Sequence, residues 1–506
     1  MTSVADLIST AAGRYPDEPA LIHGDRPVTY SEIRDRVRAA AGALQELGVD
    51  KGDRVALLVG NVPEFVVALH GTLAAGAVAA PLNPALTPEE VAPILADAEA
   101  SAVVVDRSKA SAVLKLRDGL RAPAQVLATG GRRTPRGTES FEARLRRAPR
   151  PRQIDVGAED LALLAYTAGT TAEPKGAMLT HGNLLANLDQ ISEVPALREA
   201  HSDVVLLAVP LSHIYGLNAA LGLTLREGAT AVLMDRFDAG ASLAAVERHS
   251  ITVLPGVPPM FSAWLRATEA RRFDLSSVRL AVSGAAPLPG PVLAEFRDRL
   301  GITIWEGYGL TETAPVVTTN AVGDVAKPDS IGMALPGVEV RIVDERGREV
   351  EDGDPGEIVI RGPNVFRGYW NRPRESEAVF RDGWLRTGDI AYRDDEGYMF
   401  IVDRSKDLII VSGFNVFPKE VEEAVATHPA VADCAVIGVP DERTGEGIKA
   451  LVVLHPGAGA TAEGIRDHCR DRLARFKLPR DVEFVDALPR HDTGKVLRRR
   501  LRGPGA

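Results

Sequence analysis

Two cysteines in 506 residues, Cys434 and Cys469, are too few for a disulfide framework, and no CxxC pair exists. Positive charge is short as well. Lys and Arg total 59 against 69 Asp and Glu, a net charge of −10. No global field therefore draws the chain to nucleic acid or anionic lipid. The one sizeable basic run, Arg132 to Arg152, is rich in Gly and Pro and reads as a solvated loop. Apolar runs such as Arg54–Val59 are strand-length, not membrane-length. The opening MTSVADLIST has no basic n-region and no long apolar core, which argues against a secretory signal. There is no HExxH and no Cys/His ligand spacing, so no structural transition-metal site is expected. No repeat recurs at solenoid periods. A cytoplasmic protein without a transmembrane segment or nucleic-acid partner is expected, as a monomer or a homodimer.

What is present is globular. Hydrophobic residues make up 45% and charged residues 25%, and the length calls for two or more domains. Strand-like and helix-like segments alternate. Ile33, Val37, Ala40, Leu44 and Leu47 fall on one helical face, and Gly48 stops that helix. Thr87-Pro88-Glu89-Glu90 supplies an N-cap, a proline for the first turn and a glutamate for a capping box. Strands are read at Val78–Leu82, Ser101–Val105, Asp203–Val209, Thr230–Met234 and Arg279–Val282. Separated by helices and lacking tight hairpins, they imply parallel sheets covered on both faces. After residue 330 the character changes. Val338–Val343 and Gly356–Arg361 are β-rich and joined by a turn-like segment, which suggests antiparallel structure. Beyond residue 403 a smaller unit mixes strands and helices, and the charged segment 402–407 suits a hinge.

Chemistry concentrates in a few blocks. Tyr166–Lys175 reads YTAGTTAEPK, with Gly176 next. Backbone N–H groups, hydroxyls and one cation after an apolar strand suit a polyphosphate. The spacing is not that of the Lys-Ser/Thr nucleotide loop. Gly307-Tyr308-Gly309-Leu310-Thr311-Glu312 follows the strand-like Ile302–Trp305 and offers oxygen ligands for Mg²⁺ and a ring face for a base. Trp384–Asp389 places an acid after a tight turn, as ribose hydroxyls require. Near the end, Pro489–Lys495 sets a lysine after a glycine in a polar loop. Taken singly, each has a structural explanation. A lysine after a glycine is usually a surface turn, His213 alone reads as a satisfied loop residue, and Glu312 or Asp389 could cap helices or pair with arginines.

In this order and spacing, the blocks resemble the adenylate-forming superfamily of acyl-CoA synthetases, nonribosomal adenylation domains and luciferases. The resemblance runs from Asp17-Glu18-Pro19-Ala20-Leu21 to Lys495. EGYGLTETAP, GWLRTGDI and IVDRSKDLIIVSGFNVFPKEVE are most similar to fatty-acyl-CoA ligases, then to aryl-CoA ligases. The resemblance implies an α/β fold, with a large N-terminal domain of stacked αβ subdomains plus a β-rich subdomain at 1–403. It further implies a hinge at 404–407 and a small mobile α+β lid domain at 408–506. It implies ATP, Mg²⁺ and CoA as co-substrates and cofactor, and a small-molecule carboxylic acid as partner. An acyl-adenylate and pyrophosphate form first; the CoA thiol then displaces AMP.

Residue by residue, the resemblance implies that Thr167, Gly169, Thr170, Thr171 and Lys175 wrap the β- and γ-phosphates. Glu312 would hold Mg²⁺ and Thr311 would stand near the α-phosphate. Tyr308, flanked by Gly307 and Gly309, would face adenine, whose edge meets Gly284, Ala285 and Ala286. Asp389 and Arg404 would bind ribose, and Lys495 would bridge carboxylate and α-phosphate. Lys406 would be the hinge, with Ser412, Gly413 and Phe414 along the CoA tunnel. The block Pro210–Gly216 would line the acyl pocket through His213, Tyr215 and Gly216, with Ser283 beside it. Two positions depart from the family pattern: Ala168 stands for a usual serine and Ala172 for a usual glycine. A side chain at Ala172 disfavours positive φ there. Nothing at Val282 offers the polar partner used by some hydroxyaryl ligases, which tilts the reading toward an apolar, medium- to long-chain tail. The alternatives are an aryl or small-acid substrate, a carrier-protein thiol or amine as acceptor, and a non-catalytic nucleotide-binding homologue.

Overall fold

The computed structural model describes the chain except for residues 117–124, 132, 168–173, 271–272, 405–408, 412–413, 417, 442–444, 471, 474–476, 491–495 and 502–506. The described residues form two compact units. The first comprises Met1–Glu339 and Arg361–Leu385; the second comprises Val340–Ile360 and Arg386–Ala506.

Two sheets build the first unit. Among the described residues one has seven strands, ordered Glu139–Ser140, Gln125–Thr129, Ala100–Asp106, Arg54–Leu58, Val78–Pro81, Leu161–Thr167 and Lys175–Thr180. Every neighbouring pair is parallel except the last, an antiparallel hairpin. Its strands are almost continuously apolar and buried, as expected where helices cover both faces. A capping box at Thr29 heads the helix Tyr30–Glu46, and the one expected at Thr87 heads Pro88–Ala98. The first helix buries Ile33, Val37, Ala40 and Leu44, and Gly48 follows with φ of 84°.

The second sheet has nine strands among the described residues. Its order is Met333–Ala334, Val316–Thr319, Ile304–Gly309, Leu280–Ser283, Val253–Gly256, Val204–Leu207, Thr230–Leu233, Pro19–His23 and Arg26–Thr29. Its middle is parallel, and antiparallel pairs close both ends. Beside it, Trp264 is fully buried, meets Phe261 and Phe237 edge to face, and donates its indole N–H to Ser242 Oγ at 2.7 Å. These terminal hairpins are absent from the all-parallel reading, because apolar patterning does not record strand direction.

The basic run also differs from expectation. Within it, Glu139–Ser140 is a strand and Phe141–Leu145 a helix whose Phe141 is fully buried. Gln45 fastens its end by exchanging hydrogen bonds with the Arg152 backbone, at 2.7 and 3.1 Å. A buried aromatic, these two bonds and Glu142, which accepts from Thr129 Oγ1 and Gly130 N–H, dock a segment whose composition reads as loop.

The second unit joins two sheets. In one, Glu339–Val343, Gly356–Arg361 and Trp384–Arg393 are neighbours, and Met399–Arg404 pairs antiparallel with Trp384–Arg393. In the other the order is Phe414–Val416, Ile409–Val411, Gly445–Leu454 and Val431–Asp441, with Asp481–Phe484 parallel to Gly445–Leu454. Helices Pro418–Ala426 and Ala462–Arg470 enclose a core of Ile409, Val421, Val425, Val436, Val452, Ile465 and Cys469. Among the described residues no helix is long and apolar enough to cross a membrane.

Candidate functional site

The hairpin that ends the seven-stranded sheet carries the first block. Thr167 stands opposite Lys175 and Tyr166 opposite Gly176, so both limbs of the intervening loop are held in antiparallel register. Gly169, Thr170, Thr171 and the two departures, Ala168 and Ala172, lie outside the described residues. On the incoming limb the Tyr166 hydroxyl donates to Asp97 Oδ2 at 2.8 Å. On the outgoing limb Lys175 Nζ lies 5.5 Å from the centre of the Tyr369 ring, within cation–π range.

A second hairpin, in the nine-stranded sheet, carries the other block. Tyr308 and its two glycines do not follow the strand; they belong to it. Gly307, Tyr308 and Gly309 pair with Thr319, Thr318 and Val316 in the strand Ile304–Gly309. The reason lies in the partner backbone: a Cβ on Gly309 would overlap the Pro315 carbonyl oxygen. Glycine in a strand often marks such a close approach. Thr311 and Glu312 then sit in a short turn of 3₁₀-helix, where Thr313 Oγ1 accepts from Leu310 N–H at 3.0 Å.

Glu312 is held from both ends. Its backbone carbonyl accepts the Phe366 N–H at 2.9 Å, and its carboxylate oxygen Oε1 accepts the Tyr369 hydroxyl at 2.6 Å. Burial first, and then the Glu312 charge, push the Tyr369 phenol above its ordinary range, so it stays a donor. Among the described residues no cluster of three or more His, Cys, Asp or Glu gathers as a cation nest. Mg²⁺ needs none, since it commonly takes one or two carboxylates and completes its shell with phosphate and water. Glu312 fits that role, with its second carboxylate oxygen outside the Tyr369 bond.

The predicted acyl-pocket block also comes together. The Tyr215 N–H donates to His213 Nδ1 at 3.3 Å, and its hydroxyl donates to the Val282 carbonyl at 3.0 Å. Gly216 lies next in a π-helical segment, Tyr215–Gly222, a rare winding frequent at functional sites. The Tyr215 ring lies 3.6 Å from where a Cβ on Gly284 would stand. Ser283 is fully buried and its Oγ has no hydrogen-bond partner among the described residues. Ala285 takes φ of 70°, a left-handed strain for a side-chain-bearing residue, and Ala286 follows it.

Asp389 and Arg404 belong to the second unit. Asp389 is buried and stands opposite Arg404 in the antiparallel pair. It is not placed after a tight turn: it lies inside the strand Trp384–Arg393, where Gly388 before it takes φ of 71° and the pairing shifts register between Ile390 and Ala391. Gly388 N–H donates to Glu357 at 3.0 Å and Asp389 N–H to Thr387 Oγ1 at 3.0 Å, while Arg386 pairs with Glu357. Phe414 begins a strand. Lys406, Ser412, Gly413 and Lys495 lie outside the described residues.

Tyr369 was missing from the sequence-derived set. Its only signal is the Gly368-Tyr369-Trp370 step before a proline-capped helix, Pro373–Val379, which in isolation reads as a turn with two packed aromatics.

Comparison with known proteins agrees with this geometry. The AMP-binding enzyme model matches residues 8–370, and the AMP-binding enzyme C-terminal domain matches 420–495. The chain is 39% identical to a long-chain-fatty-acid–CoA ligase of Yersinia pestis, over 99% of this chain and 94% of that one. It is 40% identical to a feruloyl-CoA synthase of an Amycolatopsis species, over 96% of each. The crystal structure of ATP-bound MatB from Rhodopseudomonas palustris superposes with a TM-score of 0.90 at 36% identity, covering 99% of this chain and 98% of that one. The likeness extends over nearly the whole length of the chain, which belongs to the AMP-binding enzyme family.

Proposed function

We propose that the chain is an ATP- and Mg²⁺-dependent acyl-CoA ligase that joins a carboxylic acid to CoA through an acyl-adenylate. The observation that supports this reading is the convergence of Lys175 and Glu312 on Tyr369, a cation suited to phosphate and a carboxylate suited to a metal. A carboxylate attacks a polyanion poorly, so charge on the phosphates must be offset as the α-phosphate is transferred. Lys175, with Thr167, Gly169, Thr170 and Thr171, would hold the departing pyrophosphate. Bound at Glu312, Mg²⁺ supplies further charge neutralisation. Tyr308 and Gly284–Ala286 would frame adenine, and Asp389 with Arg404 the ribose. Lys495 would stabilise the adenylation transition state. Rotation about Lys406 would then exchange it for Ser412–Phe414 and the CoA tunnel, a gating step of a familiar kind.

For the acid, a medium- to long-chain fatty acid is favoured by the likeness to the Yersinia ligase and by Val282, which offers no polar side-chain partner. An aryl acid is the second reading, favoured by the likeness to feruloyl-CoA synthase. The test is a panel of fatty and aryl acids, read by carboxylate-dependent pyrophosphate–ATP exchange and by thioester mass. Exchange and a CoA thioester with a fatty acid are expected. AMP release with no thioester would move the acceptor to another thiol or an amine. ATP binding without exchange would leave a non-catalytic homologue.

A further inference from the structure

The segment Phe366–Trp370 acts as a strap. Its backbone bonds reach both hairpins: Phe366 N–H to the Glu312 carbonyl at 2.9 Å, Trp370 N–H to the Gly176 carbonyl at 2.8 Å, and Met178 N–H to the Gly368 carbonyl at 2.9 Å. Its far end is fixed to the helix Pro88–Ala98. The Trp370 indole donates to the Asp97 carbonyl at 3.1 Å, Arg372 pairs with the Asp97 carboxylate at 3.3 Å, and Arg54 lies 5.4 Å over the Trp370 ring. The same Asp97 carboxylate receives the Tyr166 hydroxyl from the incoming limb of the phosphate loop. The strap therefore cannot swing without breaking contacts to both sheets. At its centre one side chain makes two distinct contacts, ring to Lys175 and hydroxyl to Glu312.

We propose that Tyr369 is a positioning residue that aims the Glu312 carboxylate at the metal while its ring seats Lys175, so that cation and polyphosphate are gripped as one unit. This rests on the nucleotide-site reading above. A hydrogen bond to a ligating carboxylate fixes its orientation and tunes the metal, and loss of such a partner commonly costs 10- to 100-fold in metal affinity. At 2.6 Å the phenol–carboxylate bond lies in the short, charge-assisted range. Placing the donor on the strap, rather than on either hairpin, ties the two halves of the grip to a single group.

The experiment compares Tyr369→Phe, Glu312→Gln and the double variant in the full chain. The first readout is Mn²⁺ binding in the presence of a non-hydrolysable ATP analogue, followed by electron paramagnetic resonance. Tyr369→Phe keeps the ring and removes only the hydroxyl, so the expected result is a Kd for Mn²⁺ about tenfold higher. The melting temperature, the carboxylate KM and metal-free analogue affinity should stay close to the parent's. In the Glu312→Gln background the same change should add nothing, because the hydroxyl acts through that carboxylate. Tyr369→Leu, which also removes the ring, should additionally weaken analogue binding. Parent-like Mn²⁺ affinity in Tyr369→Phe would overturn the proposal, as would an equal loss in the Glu312→Gln background. Should Tyr369→Phe melt early, Mn²⁺ affinity is read below its melting temperature and the same two outcomes decide. Pyrophosphate exchange by the parent is measured separately. Its absence alongside intact, Tyr369-dependent Mn²⁺ binding would remove the ligase reading and leave the positioning role standing.

Discussion

The two sheets of the first unit end their functional edges alike and equip them differently. In each, a parallel sheet gains an antiparallel hairpin, Leu161–Thr167 with Lys175–Thr180 in one and Ile304–Gly309 with Val316–Thr319 in the other. The first contributes a cation, backbone amides and hydroxyls; the second contributes a carboxylate and an aromatic ring. In the proposed function the first would meet phosphate and the second the metal and the base. The Phe366–Trp370 strap carries hydrogen bonds to both. Complementary charge is thus divided between two hairpins, and the side chains of Lys175 and Glu312 both meet Tyr369 of the strap.

The sharpest break in this comparison comes from a residue in neither hairpin. If the hairpins grip the leaving pyrophosphate and Lys495 makes the bond, Lys495→Ala should lose about 10³-fold in adenylation. Thioester formation from supplied acyl-adenylate should fall far less, and equal losses in both half-reactions would refute the division. Next in size is the second hairpin itself. Gly309→Ala drives a Cβ into the Pro315 carbonyl, and should destabilise the fold by about 3 kcal/mol. In the first hairpin, a Cβ at Gly176 would stand 3.1 Å from the Tyr166 ring. A side chain can yield where a backbone cannot, so Gly176→Ala should cost about 1 kcal/mol. Denaturant midpoints of the two variants measure the contrast, and equal shifts would remove it.

The sheets also differ in their buried ionisable groups, with opposite pH responses. Near the first, His70 and His181 are pushed down to about 4 by burial, and His181 Nδ1 meets Ser3 Oγ at 3.1 Å. The unfolded chain binds protons there that the fold does not, so stability falls as pH drops from 6.5 toward 4. Near the second, burial and then the Asp203 charge push Glu199 up to about 8. The fold keeps a proton that the unfolded chain releases, so that contribution is complete below 4.5 and is lost as pH rises through about 8. Hydrogen exchange should therefore show helices Pro63–Ala74 and His181–Ser192 loosening on acidification. The strand Val204–Leu207 should loosen on alkalinisation, and Glu199→Gln should abolish that second response. Parallel pH responses in both regions would contradict the assignment.

Much of this was legible in the chain. The capping box at Thr87, apolar strand cores and the ordered blocks name the fold class and the family, because those signals are local and chemically specific. Three things were not. Gly307–Gly309 reads as a loop after a strand, since only the partner backbone shows why glycines are needed inside one. The burial of Phe141 and the bonds of Arg152 to Gln45 involve partners far away in sequence, so a basic Gly/Pro-rich run hides them. Tyr369 is silent because its value lies wholly in two tertiary partners, Lys175 and Glu312, that sequence spacing does not bring together.

The central claim is that the two hairpins form one site. A double-mutant cycle on Lys175→Ala and Glu312→Gln, read by carboxylate-dependent pyrophosphate–ATP exchange, tests it most directly. If both hold the same metal–polyphosphate, each single variant should lose about 10²-fold and the double variant at least tenfold less than the product of the two losses. Losses that simply multiply would mean that the hairpins act on different steps or different ligands, and would contradict the account.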